Sequence, residues 1–243
     1  MKGLYKIADL CVLIEYRFNF TKKFLKEYEC NCNDKVDFTL SITDEELNIE
    51  LDNSEIKILD VVESTCILRK FSYILTTKYN GVLFHGSSIA YNGNAFVFTA
   101  KSGVGKSTHT SNLKALLGDK ITYINDDKPI IRYFESEDCF YVYGSPWNGK
   151  HFLSNNVKIP LKAIIKVNRG KKNEVSKISS LSALNFLVEQ SYSNDDEKMQ
   201  IKRFDIISKM LSKVEFYNLT CVKDISSAKA TFNDILNGGK NEN

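Results

Sequence analysis

Apolar and polar positions alternate between residues 4 and 20, with Val12, Ile14, Tyr16, Phe18 and Phe20 on one side, and this period predicts a half-buried strand. Residues 36–52 begin in the same way, through Phe38, Leu40 and Ile42. Thr43-Asp44-Glu45-Glu46 then predicts a turn or a short capped helix. From 60 to 78 the spacing becomes helical. Val61, Val62, Cys66, Ile67, Phe71, Ile74 and Leu75 recur at helical intervals, with Arg69 and Lys70 on the other face. Tyr79-Asn80-Gly81 closes that helix, with Gly81 expected as its left-handed cap.

The texture changes at residue 82. Two short strands, 82–86 and 87–91, run into Asn92-Gly93, a strong two-residue hairpin turn. Residues 94–99 are almost wholly apolar, as in a strand covered on both faces. A glycine loop follows, and then Leu113, Leu116 and Leu117 mark a helix over 107–117 that ends at Gly118. Further strands are expected at 121–125, on to about 147, at 161–168 and at 214–220. Helices are expected at 179–190, 196–212 and 226–236. Arg169-Gly170-Lys171-Lys172 reads as a solvated turn, and the tail 237–243 as frayed. No linker cleanly cuts the chain. The simplest organisation is one α/β unit over 81–236 with a strand-rich N-terminal extension, including a helix, over 1–80.

Composition narrows the function classes. A net charge of +3 is too small to imply a nucleic-acid or membrane partner, and no basic run is interleaved with aromatic residues. The N-terminus carries no secretory pattern and no apolar span, so a cytoplasmic protein with reduced thiols is expected for the six cysteines. Cys30-Asn31-Cys32 has one intervening residue, which does not fit structural-zinc spacing.

The chemistry is concentrated in Ala100-Lys101-Ser102-Gly103-Val104-Gly105-Lys106-Ser107-Thr108. Apart from Ala100 in place of the first glycine, it matches the phosphate-binding pattern Gly, four residues, Gly-Lys-Ser/Thr, set between a strand and a helix. Residues 102–108 would wrap a nucleotide's phosphates. The glycines allow backbone N–H groups to converge on the phosphate oxygens, and Lys106 supplies a point charge. The Ser107 hydroxyl suits Mg²⁺, and the helix start favours an anion.

Some twenty residues further on, Asn125-Asp126-Asp127-Lys128-Pro129 places two carboxylates at a strand end, where ligand crevices open in α/β sheets. Adjacent strand residues face opposite ways, so both can serve one site only if the chain bends there, a bend that Pro129 is expected to favour. Phosphoryl transfer needs one carboxylate near Mg²⁺ and another to orient or deprotonate the nucleophile. A solvated turn before proline is the alternative.

Lys101–Ser107, the preceding His85-Gly86 and the later Asp126-Asp127 together resemble the catalytic domain of HPr kinase/phosphorylase. More broadly they resemble the kinases that share its phosphoenolpyruvate-carboxykinase-like fold. The resemblance spans roughly residues 80–235. It implies an ATP site with Lys106 and Ser107 on phosphate and Mg²⁺, Asp127 as the base, Asp126 nearer the metal and His85 beside the γ-phosphate. Family members often form oligomers, so a homo-oligomer is a further expectation. The acidic segment that follows the aspartates in HPr kinases is replaced here by Tyr143-Gly144-Ser145-Pro146-Trp147-Asn148-Gly149-Lys150-His151, which looks like a stretch of shorter HPr-kinase-like proteins. That segment reads equally as a substrate loop, with Trp147, Lys150 and His151 meeting the acceptor, or as a structural turn over a buried Trp147.

The leading expectation is therefore an ATP- and Mg-dependent kinase acting on a serine-type hydroxyl of a protein, peptide or small molecule. The alternatives are a nucleotide-binding regulatory module without turnover, or a phosphate-dependent phosphorylase.

Overall fold

The computed structural model describes residues 1–31 and 35–237; Cys32 and the tail from 238 lie outside them. The first alternating stretch is two strands, not one: β1 (Lys2–Ile7) and β2 (Leu10–Glu15) form an antiparallel hairpin. Its turn, Ala8-Asp9, takes positive φ at both residues (53° and 63°). Ala-Asp lacks the Asn-Gly signature of such turns, so the pattern alone reads straight through it. Helix α1 (Asn19–Leu25) follows, with no side-chain cap of its own. The buried Glu63 carboxylate instead fixes the chain as it enters the helix, accepting from Arg17 N (2.7 Å), Phe18 N (3.4 Å) and Thr21 Oγ1 (2.5 Å).

After β3 (Phe38–Leu40), the rest of the second alternating stretch is helix, α2 (Asp44–Asn53), set by a complete capping box between Thr43 and Glu46. Helix α3 (Leu59–Tyr79) closes on Asn80, not on Gly81. Asn80 is the left-handed residue (φ 48°), which asparagine tolerates. Gly81 opens β4 (Gly81–Leu83), where a Cβ would come within 2.7 Å of Arg132 Cγ and Leu75 Cδ1.

The remaining elements are β5 (Gly86–Tyr91), β6 (Asn94–Thr99), α4 (Lys106–Leu117), β7 (Thr122–Asp127), β8 (Ile130–Phe134), β9 (Cys139–Tyr143), β10 (Lys158–Arg169), β11 (Glu174–Lys177), α5 (Ser180–Gln190), α6 (Glu197–Lys213), β12 (Glu215–Cys221) and α7 (Ile225–Thr231). A wider π turn, Phe232–Leu236, continues α7. The short strand β11 has no counterpart in the sequence reading.

Among the described residues, β1–β3 make a small sheet and the other nine strands a large curled one, ordered β4-β8-β9-β10-β6-β5-β7, with β12 branching from the later part of β10 and β11 pairing β12. The long β10 is the hinge of this sheet. Its first residues pair antiparallel with β9, and its later ones run parallel to both β6 and β12.

The expected two-sided burial of 94–99 holds. Ala95 and Val97 join a core beneath α5 and α6, while Phe96 and Phe98 join one beneath α4 and α7. A third core lies under α1–α3 and takes in Tyr143 and Trp147 from the second half of the chain. Arg132 adds a polar tie, donating to Tyr79 O at the end of α3 and to Ala8 O in the first hairpin. No helix among the described residues is long and apolar enough to cross a membrane.

Candidate functional site

Where β6 ends, the chain enters the glycine loop, and two residues there take the left-handed backbone: Gly103 (φ 77°) and Gly105 (φ 115°), the latter capping α4. A Cβ on either would meet nothing within 4 Å, so backbone angle and not crowding demands glycine. Ala100, in place of the first glycine of the pattern, is buried and is not a positive-φ residue, so a Cβ costs nothing there. The first turn of α4 has no side-chain cap, which leaves its N–H groups for an anion.

Lys106 reaches back over the loop, donating to Ala100 O (3.2 Å) and to His85 Nε2 (3.0 Å). Its pKa is lowered by burial, against the opposing pull of the Asp127 and Asp126 carboxylates. His85 sits between β4 and β5. Its N–H donates to Gln190 O (2.7 Å), and its ring Nδ1 lies 2.8 Å from Gln190 Oε1. Burial first, and then the Lys106 charge, push its pKa below the usual histidine value, so the ring is neutral near pH 7.

The acidic corner lies opposite. A bulge at Ile124 breaks the register of β7 on β5, with Ser88 facing Asn125 and Ile89 facing Tyr123. Asn125, fully buried, then ties the bend. Its Oδ1 accepts from Asp127 N (3.1 Å) and Lys128 N (2.7 Å), while its Nδ2 donates to Ser145 O (2.9 Å). This is the bend that both aspartates require, and it comes from Asn125 and the bulge. Asp127 is held by Lys128 Nζ at 3.0 Å and lies 3.8 Å from His85 Nε2. Asp126 is 4% exposed, and its Oδ1 has no hydrogen-bond partner.

These residues converge on a cavity of about 580 Å³. Ser102, Gly103, Gly105, Lys106, Ser107 and Thr108 line one side, Asp126 and Asp127 another, and His85, Lys150 and His151 complete the rim. Of the loop residues, Val104 turns away, into the core beneath α4 and α7. Trp147 is a correction to the substrate-loop reading. It is buried against Phe24 and Phe71 (centroids 5.8 and 5.5 Å), with Nε1 donating to Ser64 O, and no ligand can reach it. The Gly144–Trp147 stretch is scaffold: Ser145 Oγ donates to Lys128 O (2.6 Å), and a Cβ on Gly144 would sit 2.0 Å from Asn155 O.

Several residues in and around the site escape a sequence reading. Arg169 is not in a solvated turn. It braces the glycine loop, donating from Nε to Val104 O (2.9 Å) and from Nη2 to Gly103 O (2.6 Å), and it lines the cavity with Lys223. Its place at the end of a buried strand was the available signal. Gln190, 105 residues from His85, had none.

A buried carboxylate oxygen without a partner is costly unless a cation meets it. Asp126 Oδ1, with the Ser107 hydroxyl on the same cavity, therefore fits a small hard cation such as Mg²⁺. Among the described residues no group of three His, Cys, Asp or Glu side chains could hold a metal by itself. A cation here would need oxygens from a ligand as well, as Mg²⁺ at nucleotide sites does.

No protein-family model matches the chain, and a search of curated proteins finds no match. Among solved structures, one similar chain is the HPr(Ser) kinase/phosphatase from Coxiella burnetii, at 8% identity and a TM-score of 0.26, over 54% of this chain and 91% of that one. A likeness of that size assigns no role to any residue here.

Proposed function

We propose that the protein is a phosphotransferase that binds ATP with Mg²⁺ and moves the γ-phosphoryl group to a hydroxyl acceptor on a protein, peptide or small molecule. The observation that carries this reading is the meeting, in one cavity, of an uncapped helix start with Lys106 and a buried carboxylate, Asp126, whose Oδ1 lacks a partner. The loop amides and Lys106 hold the phosphates. Asp126 and Ser107 hold the metal, which when bound neutralises charge on the phosphate oxygens.

Asp127 orients the acceptor and takes its hydroxyl proton. The acceptor oxygen bonds the γ-phosphorus, and the bond from that phosphorus to the β,γ-bridging oxygen breaks with its electron pair left on ADP. Lys106, half-buried beside the loop, offsets the charge developing on the phosphates. Positioning and charge neutralisation are the main contribution expected of the protein, with Asp127 adding the base.

One observation favours a binding module without turnover: Lys128 occupies the Asp127 carboxylate at 3.0 Å. The two readings separate on slow hydrolysis of ATP, with water as a poor acceptor. The kinase reading expects Mg-dependent ADP formation that falls by about 10²-fold or more in Asp127→Asn while ATP binding persists. Hydrolysis equal in wild type and Asp127→Asn removes Asp127 as the base, and tight binding with no hydrolysis at all favours the module.

A further inference from the structure

We infer that Gln190 is a positioning residue that fixes which ring nitrogen of His85 carries the proton. His85 lies between two partners of opposite demand. Lys106 Nζ, 3.0 Å from Nε2, is an ammonium that can only donate, so Nε2 must offer a lone pair. Nδ1 is then the protonated nitrogen, and it donates to Gln190 Oε1 at 2.8 Å. The reverse orientation of the Gln190 amide would require Nε2–H to face the lysine, donor against donor.

The side chain is well placed for this task. Gln190 is the last residue of α5, and its carbonyl accepts from His85 N at 2.7 Å, so the backbone clamp holds the side chain at the ring. Thr99 Oγ1 fixes the same histidine from β6 by donating to His85 O (2.9 Å). The charged groups facing the ring are Lys106 on α4, Asp127 at the end of β7 and Lys128 just after it. A neutral amide orients the imidazole without drawing a second proton onto it beside Lys106. A carboxylate at that position would also accept from Nδ1–H but would raise the pKa of the ring, so both assays of that variant are run at pH 8, where the imidazolium is disfavoured.

The consequence rests on the proposed phosphotransfer. Once Lys106 turns to a nucleotide's phosphates, the Nε2 lone pair is left facing the cavity, 3.8 Å from Asp127 Oδ1. The ring then offers that carboxylate no N–H, and Asp127 keeps its oxygen for the proton of an incoming hydroxyl. With the other tautomer Nε2–H faces the carboxylate and competes with the hydroxyl for it.

The test compares Gln190→Leu, which has no acceptor atom, with Gln190→Glu, which keeps one. Nitrogen-15 NMR of the protein without nucleotide at pH 8, with His85 assigned through a His85→Gln variant, reads the tautomer directly. Wild type and Gln190→Glu should show a protonated Nδ1, and Gln190→Leu should lose it. Mg-dependent ATP hydrolysis should show kcat down about tenfold in Gln190→Leu, with KM unchanged, and recovery in Gln190→Glu. A wild-type ring protonated on Nε2, a Gln190→Leu ring still protonated on Nδ1, or equal kcat in the two variants overturns the inference. Failure of wild type to bind ATP would sink the phosphotransfer reading alone, since the NMR result needs no ligand.

Discussion

The glycine loop and the acidic corner face each other across one cavity, yet they are built in opposite ways. The loop is local. Its shape comes from Gly103 and Gly105 in the left-handed region, with open space around both, and Arg169 supplies a brace from the end of β10. The corner is assembled from a distance. Asn125 is tied to Ser145, Asp126 N donates to Leu153 O, and Tyr28 reaches Ser154 Oγ at 2.6 Å from the first part of the chain. Trp147, just past Ser145, is buried in the core under α1–α3. The N-terminal 80 residues therefore buttress the aspartates, while the C-terminal half braces the glycine loop.

One substitution made twice sets the two constructions against each other. In Gly144→Ala the new Cβ would lie 2.0 Å from Asn155 O and 2.8 Å from Ile124 O, backbone against backbone. The expected cost is about 3 kcal/mol, a fall in melting temperature of roughly 6–12 °C. Gly103→Ala places its Cβ in open space and should cost about 1 kcal/mol of stability from the positive φ, yet weaken ATP binding about tenfold or more. Thermal melts and calorimetry on both variants check the contrast. A Gly144→Ala protein as stable as wild type would mean that close backbone approach does not build the corner.

Acid should act on the loop side. His109 on α4 is buried between Ser227 Oγ (3.2 Å) and Thr231 Oγ1 (3.0 Å) of α7, and burial holds its pKa at about 4. Between pH 6.5 and about 4 the unfolded chain gains a proton that the native one does not. Stability is therefore flat above that window and falls by about 3 kcal/mol across it. Urea titrations at several pH values should show this fall, and His109→Gln should flatten it. An unchanged slope in that variant would assign the acid lability elsewhere.

The smallest expected effect is at Arg169. Its removal in Arg169→Gln should leave stability within about 0.5 kcal/mol, since the residue is exposed, while ATP affinity drops about tenfold as the loop loses its brace. Unaltered affinity would leave the loop self-supporting.

This contrast also decides which features are legible in the sequence. The loop is legible because Gly103, Gly105, Lys106 and Ser107 lie within five positions and each has a chemical reason to be there. The two-sided burial of β6 and the Asn92-Gly93 turn were legible for the same reason, with φ of 47° and 73° in that turn. Trp147 was not, because whether an aromatic residue lies over a ligand or under a turn depends on Phe24 and Phe71, far away in the chain. Nor was the bend at the aspartates, attributed by sequence to Pro129 but made by the Ile124 bulge and the Asn125 side chain. The Ala8-Asp9 turn is hidden because Ala8 signals no positive φ and no glycine accompanies Asp9.

The most direct test is isothermal calorimetry of the purified protein with ATP, with and without magnesium. The account predicts a measurable heat of association that is lost in Lys106→Ala, with a magnesium-dependent gain in affinity that disappears in Asp126→Asn. No heat for the wild type, or an affinity that survives Lys106→Ala, would contradict it.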